Sequence, residues 1–346
     1  MDDFSVKQYF NRLVTQFGSG WNRFWFTPSD ALPLSAIRIL TGLFAIYVLL
    51  TYTPDVARFF QVGGLLPLEV VQQWNGSEGF DTSALSYFSY LGSASEIQAA
   101  HWFGLAVRVL FTIGFYSRIT AVLALIVTLS YIHRAPLVTS QVEPILVILQ
   151  FYLCLGPCGK RLSVDRWLAV RRANQQPALL EQLNTRNYFS ATIAIRLIQI
   201  HVCMVVLMMG FAKLSGPAQL EDVPLWYDPW GTGEAVWWLI ARPQSRLLEG
   251  LTVLRTYPKL VAAWTHAIVL FELTFPILVW IRVARPLMLG LGIVIWGSLA
   301  LISGVAVAFL LLMVASISFY SPALLTRWIE RRERPAETVP QQAITA

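Results

Sequence analysis

The chain has 346 residues, 56% hydrophobic and only 13% charged, with 26 Lys and Arg against 20 Asp and Glu for a formal net charge of +6. An ordinary soluble domain carries about 25% charged residues, so half that share, with a mean hydropathy of +0.57, excludes a water-soluble globule and points to lipid as the solvent. The expected fold is an all-α, polytopic integral membrane bundle, and its cations are read as topology signals rather than as a nucleic-acid footprint.

Residues 1–30 set Phe4, Tyr9, Phe10, Leu13, Val14, Phe17, Trp21, Phe24 and Trp25 among Lys7, Arg12 and Arg23, the pattern of an amphipathic helix in the membrane interface. The first apolar run begins only near residue 33, so no cleavable signal peptide is expected. Apolar runs at roughly 33–52, 97–117, 119–134, 142–157, 188–212, 258–281, 286–302 and 305–321 make about eight transmembrane helices, each near the roughly 20 residues that cross hydrocarbon. Residues 31–325 then form one transmembrane domain. Residues 326–346 are a tail, basic at Arg327, Arg331, Arg332 and Arg334 and then polar and expected to be disordered.

The connections sort by charge. Lys160, Arg161, Arg166, Arg171, Arg172 and Arg186 follow the fourth run, and Arg282 and Arg285 follow the sixth. With an even number of spans, these segments and both termini fall on the cytoplasmic side of a bacterial-type plasma membrane. The acid-rich loop 53–96 and the loop 214–257 face outward. Within 225–240 stand Trp226, Tyr227, Trp230, Trp237 and Trp238, so both loops are expected to hug the outer surface and roof a cavity.

Ionisable residues inside apolar runs are the functional signal, because a charge in hydrocarbon costs roughly 2.5–3.5 kcal/mol even on lenient scales. Arg38, Arg108, Arg196, Gln199, His201 and Glu272 lie deep or toward the cytoplasm. His133, Arg134, Glu143, Lys213 and His266 lie toward the outer face. At 3.6 residues per turn, Arg196, Gln199, Gly210 and Lys213 share an arc of roughly 100°, with His201 pointing elsewhere. Three arginines against one midspan glutamate leave an excess of positive charge, which favours an anionic ligand, a lipid headgroup or a carboxylate. The alternatives are ion pairs with Glu272, capped helix carbonyls and, for Lys213, a snorkelling helix end. Cys154, Cys158 and Cys203 give no disulfide framework, and no metal site is expected.

Several segments together resemble the horizontally transferred transmembrane domain family, which includes vitamin K-dependent γ-carboxylases. They are Ser35-Ala-Ile-Arg38-Ile-Leu-Thr-Gly42; Ser130-Tyr-Ile-His133-Arg134-Ala-Pro136; Leu155-Gly-Pro157 with Leu162-Ser163-Val-Asp165; Arg196-Leu-Ile-Gln199 leading to Met209-Gly210-Phe-Ala-Lys213-Leu214; Trp230-Gly-Thr-Gly233-Glu-Ala235; and Phe271-Glu272-Leu-Thr-Phe-Pro276. The sequence departs from the family pattern at Trp296, where many members have histidine, and at Ala135, where asparagine is usual.

The resemblance implies an enzyme that uses reduced vitamin K or another quinol, with O2 and CO2, to carboxylate a substrate at the outer face. Lys213 matches the lysine that deprotonates the hydroquinone, and His133 is similar in place to a carboxylase histidine. Arg38, Arg108, Arg196, Gln199, Glu272 and His266 are the candidate substrate-binding residues. Membrane lipids, a quinol and an exported peptide or protein are the expected partners. The alternatives are a non-enzymatic lipid-handling or transport protein with an arginine-lined cavity, and a maturation or immunity partner of an exported peptide.

Overall fold

The structure is a computed structural model and describes residues 6–61, 63–76, 82–173, 187–214, 228–242, 253–254 and 256–333. Each of the eight apolar runs is a helix, so the all-α reading holds. In chain order, α1 (Val6–Phe26) precedes α2 (Leu32–Tyr52), which continues through a 3-10 turn into α3 (Val56–Phe60), and α4 (Leu68–Gly76) follows. Next come α5 (Ala94–Ile113), α6 (Ser117–Arg134), α7 (Val142–Leu155), α8 (Val164–Ala173) and α9 (Phe189–Leu214). The short α10 (Pro229–Thr232) and α11 (Ala235–Ala241) lead to α12 (Pro258–Leu278), α13 (Arg285–Ile302), α14 (Ala306–Ser316) and α15 (Pro322–Glu333). Four of these helices are long and apolar enough to cross a membrane: α2 with its continuation to Phe60, α9, α12 and α13. The tail residues 334–346 lie outside the described residues.

Local chemistry sets the helix ends. Ser93 and Glu96 form a capping box at the start of α5, and Pro33, Pro258 and Pro286 stand in the first turns of α2, α12 and α13. α5 ends at Gly114, whose φ of +73° suits the left-handed cap, while the N–H of Phe115 returns to the Leu110 carbonyl at 3.0 Å. Asp165 then seizes the next start, its carboxylate accepting the N–H of Tyr116 and of Ser117 at 2.8 Å each.

The helices pack in two groups. α2, α5, α6 and α7 form one, α9, α12 and α13 the other, and α14 touches α2, α7 and α9 between them. Small residues let backbones close up: a Cβ on Gly42 of α2 would collide with Thr112 of α5, and one on Gly210 of α9 would stand 3.0 Å from Leu273 of α12. At one end of the bundle β1 (Ser29–Asp30) pairs antiparallel with β2 (Asn187–Tyr188), and Arg161 reaches Asp30 at 3.3 Å. We call this the strand end. α1 packs there on α9, with Phe24 against Arg196 and Trp280, and turns Val14, Phe17 and Trp21 outward as one exposed apolar row.

Candidate functional site

α9 and α12 are the most closely packed pair of helices, yet their far ends are not level. Lys213 is one residue from the end of α9, whereas Glu272 lies fourteen residues into α12, about 21 Å along its axis at 1.5 Å per residue. The space beside the first half of α12 is taken by α10 and α11. His266 is hydrogen-bonded to the Gly231 carbonyl at 3.2 Å, Thr265 donates to the Gly233 carbonyl at 2.9 Å, and the N–H of Val236 donates to Thr265 at 3.2 Å. Gly233 holds φ at +86°, and a Cβ there would strike Ala262 at 2.8 Å, so glycine is required for this segment to lie against α12.

Beneath that cover, Lys213 meets Glu272. The ammonium donates to Oε2 at 2.7 Å, to Oε1 at 2.9 Å and to the Met209 carbonyl at 3.3 Å, and it sits 4.8 Å from the centre of the Trp230 ring. The lysine side chain is 13% exposed and the glutamate 0%. Gly210, one turn before Lys213, makes the approach possible, since a side chain there would crowd Glu272 and Leu273. An ammonium facing both oxygens of a desolvated carboxylate is a buried ion pair, with its charges held at one point beneath the aromatic cover. A separate cavity of about 400 Å³, lined by Thr232–Glu234, Trp237, Leu254, Val261 and Ala262, lies beside the first turns of α12.

Lys213, expected toward the outer face, and Glu272, expected deeper, are joined in the structure. The available signal is the short aromatic segment 228–241, which lies beside the first half of α12.

The other candidates are dispersed. Arg38 of α2 is fully buried and donates to the Cys158 carbonyl at 2.7 Å and the Leu162 carbonyl at 2.6 Å, holding the turn after α7 at the strand end. Arg108 donates to the Ala45 carbonyl and to Thr128. Arg196 donates to the Phe24 carbonyl at 3.2 Å and to Gln199 at 2.9 Å, and Gln199 donates in turn to the Ser318 carbonyl at 2.6 Å. Among the described residues these arginines share no partner, and their hydrogen bonds go to carbonyl oxygens and neutral side chains at separate places.

His133 is not brought to Lys213. Its helix, α6, packs chiefly on α5 and α7, and among the described residues no hydrogen bond joins the two side chains. His201 faces α7, where its Nδ1 is hydrogen-bonded to the Tyr152 hydroxyl at 3.2 Å. The three cysteines are free, and no cluster of metal-ligating side chains occurs among the described residues. Trp296 is buried edge-on against Phe271 and Phe275.

Comparison with protein-family models, with curated proteins and with solved structures gives no match. The site is read from its own geometry.

A second polar assembly went unnoticed in the sequence. On the α2–α5–α6–α7 side, Tyr52 donates to Glu143 at 2.5 Å, His101 is hydrogen-bonded to Tyr131 at 2.6 Å and to Thr53 at 2.9 Å, and the rings of Tyr52 and Tyr131 stack with centres 5.5 Å apart. His101, a histidine inside an apolar run, was the available clue. Tyr52 and Tyr131 carry no comparable signal, since an uncharged tyrosine is unremarkable in an apolar run.

Proposed function

We propose that this chain is a membrane-embedded, quinol-linked enzyme of the vitamin K-dependent γ-carboxylase type, and a member of the horizontally transferred transmembrane domain family. The observation that carries the reading is the Lys213–Glu272 pair under Trp230, which supplies at one point the base, the group that stores its proton and an aromatic wall. In this reading about eight helices span a bacterial-type plasma membrane, both termini are cytoplasmic, and the pair opens toward the outer face.

The chemistry begins with Glu272 holding the proton, so that Lys213 presents a free amine to a quinol hydroxyl. Lys213 would take a proton from the quinol hydroxyl, and the quinol, together with O2, would supply the strong base that removes a γ-proton from a substrate glutamate. The resulting carbanion adds CO2. An exported peptide or protein is the substrate class, and the loss of contact with His133 leaves Glu272 as the partner of the base. The lipid-handling alternative calls for arginines that line one cavity, whereas Arg38 donates to the Cys158 and Leu162 carbonyls and Arg108, elsewhere, to the Ala45 carbonyl and Thr128.

The test is epoxide formation from reduced vitamin K and O2 by the purified full chain. Wild type is expected to form epoxide, and Lys213→Ala to remain folded and form none, with partial rescue by a small added amine. Lys213→Arg is expected to fail as well, since a guanidinium does not release its proton at working pH. Absence of epoxide with wild type, or full activity in Lys213→Arg, overturns the proposal.

A further inference from the structure

The turn between α7 and α8 folds against the start of α6 at the strand end and leaves a cavity of about 200 Å³. At roughly 30 Å³ of liquid volume per water, it holds the equivalent of about six or seven waters. Buried Pro157 and Cys158 line it together with three cations: Arg118 of α6, Lys160 of the turn and Arg166 of α8. The wall is already formed. Arg38 and Ser35 both donate to the Cys158 carbonyl, at 2.7 and 2.9 Å, and the hydroxyl of Ser163 donates to the Gly159 carbonyl.

Asp165 supplies a carboxylate to the same lining, but its oxygens are engaged. They accept the N–H groups of Tyr116 and Ser117 at 2.8 Å each and the Ser117 hydroxyl at 2.6 Å. Asp165 also lies in electrostatic reach of the buried Arg38. Those bonds occupy the first amides of α6, so side chains and not a helix end give the cavity its charge. Among the described residues neither Arg118 nor Lys160 has a carboxylate partner. The Lys160 ammonium stands 5.8 Å from the centre of the Tyr188 ring. The excess of positive charge in a preformed cavity selects an anion.

What borders the cavity selects the kind of anion. Leu155 precedes Gly156 in the lining, and Ile119 follows Arg118; both are exposed. From them, exposed apolar rows run along the helices, through Phe151 on α7 and through Val122 and Ile126 on α6. A cationic cavity at the head of two apolar rows matches an amphiphile, whose charged head enters the cavity while its chains follow the helices. A free phosphate ester would use the cations and leave the rows uncovered. We propose that this cavity binds the phosphate of an anionic phospholipid, with Arg118 and Lys160 as its cationic ligands. The proposal rests on the membrane reading above and not on the quinol chemistry.

The experiment follows the Tm of the purified full chain in one detergent against dioctanoyl phosphatidylglycerol, dioctanoyl phosphatidylcholine, glycerol phosphate and inorganic phosphate. A saturable rise with phosphatidylglycerol is expected, with none from the other three at the same concentrations. Arg118→Gln and Lys160→Gln each remove one charge from an exposed position, so the Tm without lipid should stay as it is. Each should raise the half-saturating lipid concentration about fivefold, the equivalent of about 1 kcal/mol for a cation near an anionic lipid. Arg327→Gln, which removes an exposed cation outside the cavity, should leave that concentration unchanged. The assay needs neither turnover nor an intact membrane, so its failure stays distinct from a failure of the quinol chemistry or of the topology. Equal responses to the two lipids, a matching rise with glycerol phosphate or inorganic phosphate, an unshifted half-saturation in either cavity variant, or an equal shift in Arg327→Gln overturns the proposal.

Discussion

Removing either member of the Lys213–Glu272 pair should cost far more than removing both. Glu272 is fully buried and Lys213 nearly so, and both carboxylate oxygens lie within 2.9 Å of the ammonium. Lys213→Met therefore strands a carboxylate with no exposed surface, and Glu272→Leu strands an ammonium left with the Met209 carbonyl and the Trp230 ring. Each single change should destabilise by about 3–5 kcal/mol, whereas the apolar double replacement should recover most of that loss. For a chain of 346 residues, an unfolding entropy of about 2.1 cal/mol/K per residue converts the single losses into Tm drops of about 4–7 °C. The assay is thermal unfolding of the four proteins in one detergent, read as a double-mutant cycle. If the double variant falls by the sum of the two singles, the side chains are not coupled, and the argument for a shared proton collapses with them.

Other consequences can be checked alongside. Arg38→Leu leaves the Leu162 carbonyl bare while Ser35 still serves the Cys158 carbonyl, so stability should fall by about 1–3 kcal/mol, with epoxide formation per folded molecule unchanged. Single cysteines at Arg172 and Glu234, both exposed and at opposite ends of the bundle, should differ in labelling by an impermeant reagent in intact cells. Equal labelling would refute the proposed topology. The backbone N–H groups of Ser93 and Gly92 hold the Glu96 carboxyl below its ordinary range, so its contribution is present above the unfolded-state pKa. That contribution is lost as pH falls through the depressed folded value, and amide exchange at the start of α5 should then rise.

The helices were legible because their signals are local. An apolar run bounded by Pro33, Ser93, Gly114 or Gly156 carries its own start and stop, and the runs expected at 97–117 and 188–212 became Ala94–Ile113 and Phe189–Leu214. The partners of the charges were less legible, since partnership depends on axial offsets between helices distant in sequence. Lys213 and Glu272 are 59 residues apart, and nothing in either run records that α12 overshoots α9. Arg108 was visible as a charge in an apolar run. Its neighbours Thr128 and Gln150 were not, because residues that pass for ordinary packing positions become conspicuous only when their hydrogen bonds are traced.

The acceptors of Arg38 have a bearing on how the chain is made. The Cys158 and Leu162 carbonyls lie 120 and 124 residues downstream. At about 5–20 residues per second, roughly 6–25 s separate synthesis of the arginine from synthesis of its partners. On the membrane reading proposed above, α2 enters the bilayer with its guanidinium unsatisfied and waits with that group drawn to the headgroups near the helix start. The turn after α7 is then the last part of the Arg38 site to be made, and ribosome-bound chains ending before Leu162 are expected to hold α2 at the membrane with its arginine still unsatisfied.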